Sequence, residues 1–427
     1  MNILVVSYEA WRDTNNGGNV LSNIFRAFPD AELAQIYCSG EAPQNSICRR
    51  YYQISDSMLL SKAKGRRLEE KDYSAAGEAE PTAIENQINS RIPGAFKSAS
   101  QLVRELMWTV MDWKTDELRA FITDFKPDII FAPCYYYYHV SKVALYARSV
   151  AKCPMISYIS DDNYSLKQIR FAPSFWINRL ITRKWIRRMF AESSLIYTMT
   201  RTQKTEYEKL FGRPMKLLCK SAPFERIITE PGEPVRFIYA GSLYLNRWRI
   251  LEAAAKAIAP LNENKIKAQL HIYSGTKPEP RWEKTLNDGK NSFLHGLIPY
   301  RELEERYNGS DVAIFAESFD LKNRLLTRLS FSTKIIDCLN SGCAVLAVGP
   351  AKQGGMDYLF ENDAAVCVND LKDLPGAVRA LVESPELIVE YSEKANQLGK
   401  KNHMKADIEN MLRKDFSDIA AGRPVNR

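Results

Sequence analysis

The segment Ser330-Phe-Ser-Thr-Lys-Ile-Ile-Asp337 gathers side chains suited to a phosphorylated ligand within about two helical turns. Ser332 and Thr333 are N-cap types set ahead of a helix, and Lys334 falls in its first turn. A cation there is unfavourable against the helix dipole unless an anion occupies the same end. A diphosphate supplies that anion, accepting from hydroxyls, backbone N–H groups and the ammonium together. Asp337, three residues on, shares the helical face of Lys334 and suits the two hydroxyls of a ribose. The plainer alternative is a capped surface helix with a stray lysine.

A second group lies upstream. Phe237-Ile-Tyr-Ala-Gly-Ser-Leu243 reads as a strand ending in Gly241-Ser242, followed by Asn246-Arg247-Trp248 and a helix. A small residue at a strand end lets a ligand approach the backbone, and Arg247 adds a cation for a phosphate. Three further sites are candidates. Asp161 and Asp162 follow the apolar run Met155–Ile159, where a carboxylate can orient sugar hydroxyls or take a proton; the N-cap of the next helix is the alternative reading. Gly17-Gly18 follows the first strand in a polar loop, where a plain turn is one reading. His139 follows Tyr135–Tyr138, which offer either rings to stack on a sugar or a packed loop.

These residues need a scaffold, and the chain alternates strand and helix patterns throughout. Asn2–Ser7 is a buried parallel strand, and Val20 to Phe28 repeats at helical spacing. Residues 55–100 are polar and read as a mobile insertion or loose helical excursion. Gln101–Phe125 reads as one amphipathic helix. Strands follow at Ile129–Ala132, Met155–Ile159 and Leu195–Met199. Thr229-Glu-Pro-Gly-Glu-Pro234 is a linker by composition. A second series then runs through strands at Arg236–Ala240, Ala268–Tyr273, Ser292–Leu294, Val312–Phe315 and Ala344–Val348. The expected fold class is α/β, with two doubly wound Rossmann-like domains facing across a cleft. The expected spans are 1–228 and 235–400. Residues 401–427 form a C-terminal helix expected to pack back on the first domain.

Asp337-Cys-Leu-Asn-Ser-Gly-Cys-Ala-Val-Leu-Ala347 resembles the Glu-Ala-Met-Ala-x-Gly-x-Pro-Val-Ile-Ala stretch of the retaining GT-B glycosyltransferases called group 1. Tyr239–Leu243, Leu270–Tyr273, His295–Pro299 and Ser310–Phe319 are similar to that family's successive donor-domain segments, in order, over roughly residues 235–370. The Phe-Ser-Thr-Lys form resembles a bacterial polysaccharide-assembly branch. The resemblance implies roles. Gly241 and Ser242 lie against the diphosphate, with Arg247 and Lys334 as its cations and Ser332 and Thr333 as donors. Asp337 takes the ribose, Glu317 faces donor sugar or phosphate, and Ile298 meets the base. It also implies that 1–228 binds the acceptor and 235–400 the sugar nucleotide, that Gly17-Gly18 lets the acceptor or donor phosphate approach the backbone, and that transfer proceeds with retention, no metal ion and no other cofactor. One departure stands out. The family's seven-residue spacing between carboxylates is broken here by Asp320–Leu329, which brings Lys322, Arg324 and Arg328.

Composition sets the outer bounds. With 45% hydrophobic and 26% charged residues among 427, the chain is an ordinary globular protein of about two domains. Of its net charge of +8, +7 falls within residues 1–225, so this half is expected to meet something anionic. Ser174–Phe190 carries five basic residues interleaved with aromatic and aliphatic ones and no acid, as a surface for anionic lipid would. No run approaches the roughly 18 apolar residues of a membrane span. The eight cysteines are scattered without a metal spacing, as reduced thiols in a cytoplasm would be. The expected activity is a hexosyl-type transfer from a nucleotide sugar to a glycan or lipid-linked acceptor in capsule, exopolysaccharide or lipopolysaccharide assembly. It is placed in the cytoplasm at the inner face of the plasma membrane, with no nucleic-acid partner. The alternatives are a catalytically silent binding homologue and a sugar-nucleotide 2-epimerase.

Overall fold

The computed structural model describes residues 1–13, 16–63, 97–228 and 230–425. Most of the polar stretch 55–100 therefore lies outside the described residues. The chain divides into two compact units. Unit 1 is Met1–Leu218 with Glu409–Arg427, and unit 2 is Cys219–Ile408.

Unit 1 is a seven-stranded sheet: β1 (Asn2–Ser7), β2 (Glu32–Tyr37), β3 (Arg50–Gln53), β4 (Ile129–Pro133), β5 (Met155–Ile159), β6 (Leu195–Thr198) and β7 (Lys216–Leu217). The spatial order is β3-β2-β1-β4-β5-β6-β7, and every pair is parallel. Sequence patterning did not reveal β2, because Gln35 interrupts its apolar run. Gln35 is nonetheless buried, its amide donating to Ser7 Oγ at 2.7 Å and accepting from the Trp11 N–H at 3.0 Å. A satisfied polar group costs little inside a sheet.

Helices α1 (Asn16–Phe25), α2 (Asp56–Ala63), α3 (Lys97–Val110), α4 (Asp116–Phe125), α5 (Tyr138–Ala151), α6 (Pro173–Glu192) and α7 (Arg201–Phe211) cover this sheet. The single helix expected over 101–125 is two. Thr115 caps a fresh start, its hydroxyl accepting from the Leu118 N–H at 3.1 Å. The end of the chain also belongs to this core: Asp415 accepts from Tyr197 OH at 2.7 Å, and Phe416 packs 4.7 Å from Phe28.

Unit 2 is a six-stranded sheet: β8 (Val235–Ala240), β9 (Ala268–Tyr273), β10 (Ser292–His295), β11 (Val312–Ala316), β12 (Ala344–Val348) and β13 (Val366–Val368). The order is β10-β9-β8-β11-β12-β13, again all parallel. Strands β11 and β12 are buried at every residue, as parallel strands covered on both faces must be. The covering helices are α8 (Trp248–Ile258), α9 (Pro280–Leu286), α10 (Tyr300–Asn308), α11 (Leu321–Thr327), α12 (Lys334–Asn340), α13 (Gly354–Glu361), α14 (Leu374–Glu383) and α15 (Pro385–His403), with α16 (Lys405–Ala420) continuing into unit 1. The unit starts at Cys219, ahead of the compositional linker, because Phe224 is anchored in it. The Phe224 N–H donates to Asn340 Oδ1 at 2.8 Å, and its ring lies where a Cβ on Gly399 would stand 2.2 Å away.

Strand order reverses between β1 and β4 in unit 1, and between β8 and β11 in unit 2. Open parallel sheets bind ligands at the carboxyl ends of the strands at such a reversal.

Candidate functional site

In unit 2, Gly241 directly follows β8 and Glu317 directly follows β11, so these residues flank the reversal. Lys334, the first residue of α12, reaches across to Gly241. A Cβ at position 241 would lie 1.9 Å from Lys334 Nζ and 2.4 Å from Cε, so only glycine leaves room for the side chain. Gly241 also has φ +152°, a conformation L side chains rarely adopt. The ammonium sits 5.6 Å from the centre of the Tyr239 ring, whose hydroxyl donates to the Ser242 carbonyl at 2.7 Å.

Arg247 and Glu317 complete the cluster. The guanidinium Nη2 donates to Glu317 Oε1 at 3.1 Å and Oε2 at 3.3 Å, and both side chains are largely buried. Arg247 Nε is buried with no hydrogen-bond partner among the described residues. Burial, then the Arg247 charge, push the Lys334 ammonium down from 10.5 to about 8, against the opposing pull of Glu317 and Asp337. Two cations held together in partial burial, one with an unused donor, favour an incoming anion.

The loop that presents Arg247 is strained, with Leu245 at φ +59° and Asn246 at φ +60°. The unexpected stretch Asp320–Leu329 holds it. Asp320 Oδ2 accepts from Asn246 Nδ2 at 2.6 Å, and Asn323 Nδ2 donates to the Leu245 carbonyl at 3.0 Å. The insertion folds as α11 and buttresses this loop, a role no sequence signal indicated. Gly349 lets Glu317 sit close beneath it, since a Cβ there would lie 2.9 Å from Glu317 Cβ.

Ser332 and Thr333 precede α12, but Thr333 makes no side-chain cap, so its hydroxyl is not spent on its own helix. Asp337 is half-buried and paired with Lys220, a partner that sequence reasoning missed. Ile298 is half-buried in the loop between β10 and α10.

Unit 1 treats its candidates differently. Asp161 is exposed at the end of β5. Asp162 is buried as the anchor of the following turn, accepting from the Ser165 N–H at 2.8 Å, Ser165 Oγ at 2.5 Å and Tyr207 OH at 3.1 Å. Asp162 is thereby tied to the turn it anchors. His139 is likewise placed in the core. It lies in the first turn of α5, buried and stacked on Trp108 at 4.2 Å, with Nδ1 on Glu105 at 2.9 Å. Gly17 and Gly18 fall inside the first turn of α1, not in a loop. A Cβ on Gly18 would lie 1.9 Å from the Arg12 carbonyl oxygen, so this glycine serves close packing. At the reversal between β1 and β4 stand Tyr8 and Tyr137, with ring centres 4.2 Å apart and the Arg104 guanidinium 5.1 and 5.2 Å from them.

Residues 247–413 match the family described as glycosyl transferase-like. The sucrose-phosphate synthase of Thermosynechococcus elongatus superposes with a TM-score of 0.64 at 12% identity, covering 99% of this chain and 100% of that one. Anabaena HepE in complex with UDP gives 0.62 at 11% identity, covering 98% and 100%. TarM gives 0.61 at 12%, covering 97% and 98%. No curated protein matches in sequence. The fold is GT-B, and residues 247–413 carry the glycosyl transferase-like signature.

Within this GT-B chain, the matched segment holds Arg247, Glu317, Lys334 and Asp337, while Gly241 and Lys220 lie just ahead of it. Among the described residues of the GT-B chain, no helix is long and apolar enough to cross a membrane.

Proposed function

We propose that this protein is a sugar-nucleotide-dependent glycosyltransferase whose donor diphosphate binds between Gly241 and the Lys334–Arg247 pair. One observation carries this assignment: Lys334 is laid across a glycine that only its absent Cβ accommodates, beside a second cation with an unused buried donor. UDP in HepE and UDP-2-fluoro-glucose in the E. coli trehalose-6-phosphate structure make a uridine nucleotide the first choice. In the proposed chemistry the glycosyl C–O bond to the diphosphate breaks as positive charge grows at the anomeric carbon. Lys334 and Arg247 neutralise the departing phosphate, so no metal ion or other cofactor is invoked. Glu317 holds Arg247 in place, Ser332 and Thr333 offer hydroxyls to the phosphates, and Asp337 binds the ribose. Retention and hexosyl transfer extend the family resemblance.

Unit 1 is the proposed acceptor unit, with the exposed Asp161 orienting sugar hydroxyls. The acceptor is proposed to be a lipid-linked glycan of cell-surface polysaccharide assembly, reached from an anionic membrane face. Helix α6 supports this choice. Arg179 and Arg183 turn inward onto the carbonyls of Asp162 and Tyr164, but Ile177, Leu180, Lys184 and Arg188 face out. Leu180 is 57% exposed, and on α3 the residues Val103, Leu106 and Val110 are exposed at helical spacing, Val110 at 81%.

The test is a panel of UDP-, GDP- and TDP-sugars incubated with a bacterial lipid extract, following nucleotide release and sugar identity. Release with a glycosylated lipid, abolished by Lys334→Ala, is expected. Donor epimers instead of transfer, or tight binding with no turnover on any acceptor, contradict the assignment.

A further inference from the structure

We infer that Lys220 is a nucleotide-recognition residue, forming with Asp337 a donor–acceptor pair that reads the vicinal diol of a ribose. The inference rests on the nucleotide-sugar assignment above and adds a residue outside the segment that matches the glycosyl transferase-like family.

Lys220 is the second residue of unit 2, fixed in place by the Phe224 anchor that follows it. Its ammonium bonds Asp337 Oδ1 and lies 5.4 Å over the ring of Tyr300. Tyr300 opens α10 immediately after Ile298 and Pro299 and is 50% exposed. The three residues thus line one patch on α12, α10 and the segment that enters the unit. Asp337 is also about one turn along from Lys334, so the patch adjoins the proposed diphosphate site.

Hydrogen-bond capacity makes the pair selective. A carboxylate only accepts, and an ammonium only donates. Each ribose hydroxyl does both. A lone carboxylate would receive both hydroxyl protons and leave the hydroxyl oxygens to water. With Lys220 beside it, one hydroxyl can donate to Asp337 while an oxygen accepts one of the two ammonium protons not directed at Oδ1. Removing the 2′-hydroxyl strips a partner from a charged, half-buried group, and such losses exceed those of a neutral pair. The pair therefore distinguishes ribonucleotides from their 2′-deoxy forms. A purely structural ion pair would not.

Calorimetric titration with UDP and 2′-deoxy-UDP, and with GDP and 2′-deoxy-GDP, tests this. Wild type is expected to prefer the ribonucleotide by about tenfold, one charged hydrogen bond's worth. Lys220→Met, which keeps length and loses the donors, is expected to bring the ratio to about twofold or less. Lys220→Arg is expected to keep most of it. Asp337→Asn, which keeps shape and removes the charge, is expected to erode it, and this variant carries the test if Lys220→Met fails to fold. An unchanged ratio in Lys220→Met or Asp337→Asn, or no ribose preference in wild type that still binds UDP, overturns the role of Lys220 and leaves the donor assignment standing. Failure of wild type to bind any nucleoside diphosphate overturns both.

Discussion

Replacing Gly241 by alanine should disable the donor site while largely sparing the fold. The new methyl would overlap Lys334 Nζ at 1.9 Å and Cε at 2.4 Å, with Cδ at 3.1 Å. Those atoms are the far end of a flexible chain, so the lysine moves and the core does not. The remaining folding cost is the φ of +152°, worth about 1–3 kcal/mol for a residue with a Cβ. The functional cost is the displaced cation. One charge-assisted hydrogen bond is worth about 1.5–3 kcal/mol, or roughly 10- to 150-fold in affinity. Calorimetric titration of UDP into wild type, Gly241→Ala, Lys334→Ala and the double variant separates the two effects. If glycine acts by making room for Lys334, the two changes overlap, and the double variant binds about as weakly as Lys334→Ala alone. Additive losses would show that Gly241 and Lys334 act independently. Unchanged affinity in Gly241→Ala would refute the reasoning outright.

Four further outcomes follow from the structure. Lys334, lowered to about 8, starts to lose its proton just above neutral pH in the empty protein, whereas a bound diphosphate favours the ammonium. UDP affinity should therefore fall as pH rises through 8, with proton uptake on binding measured by calorimetry in two buffers, and Lys334→Arg should flatten the profile. The unfolded chain holds this proton more tightly than the folded one, so the empty protein should also gain stability between about pH 8 and 10.5. Asp162→Ala should cost about 2–4 kcal/mol, because it strips a buried turn of its acceptor, while Asp161→Ala should leave the melting temperature nearly unchanged. On vesicles containing anionic lipid, wild type should co-sediment and the Lys184→Glu/Arg188→Glu variant should not, with both remaining in solution when the lipid is neutral or the salt is high.

Much of the donor unit was legible in the sequence, because its strands are short apolar runs bounded by turn formers. Ala268–Tyr273 and Ala344–Val348 have the bounds expected of them. Lys334 was visible as a cation at the wrong end of a helix, and its contact with Gly241 is the physical reason for both residues. What could not be read depended on partners distant in sequence. Lys220 meets Asp337 across 117 positions, and Asn323 supports Leu245 across 78. Unit 1 was harder for the same reason. His139 and Asp162 have the residue types of a reactive site, yet Glu105 and Tyr207, far along the chain, absorb them into the core.

The central claim is that a diphosphate lies on Lys334 and Arg247 at the carboxyl ends of β8 and β11. A crystal structure of the protein soaked with UDP tests it most directly. The account predicts phosphate oxygens within hydrogen-bond distance of Lys334 Nζ and the Arg247 guanidinium, packed against the Gly241 backbone. A nucleotide bound elsewhere, with Lys334 still lying over Gly241 and no phosphate beside it, would contradict the account.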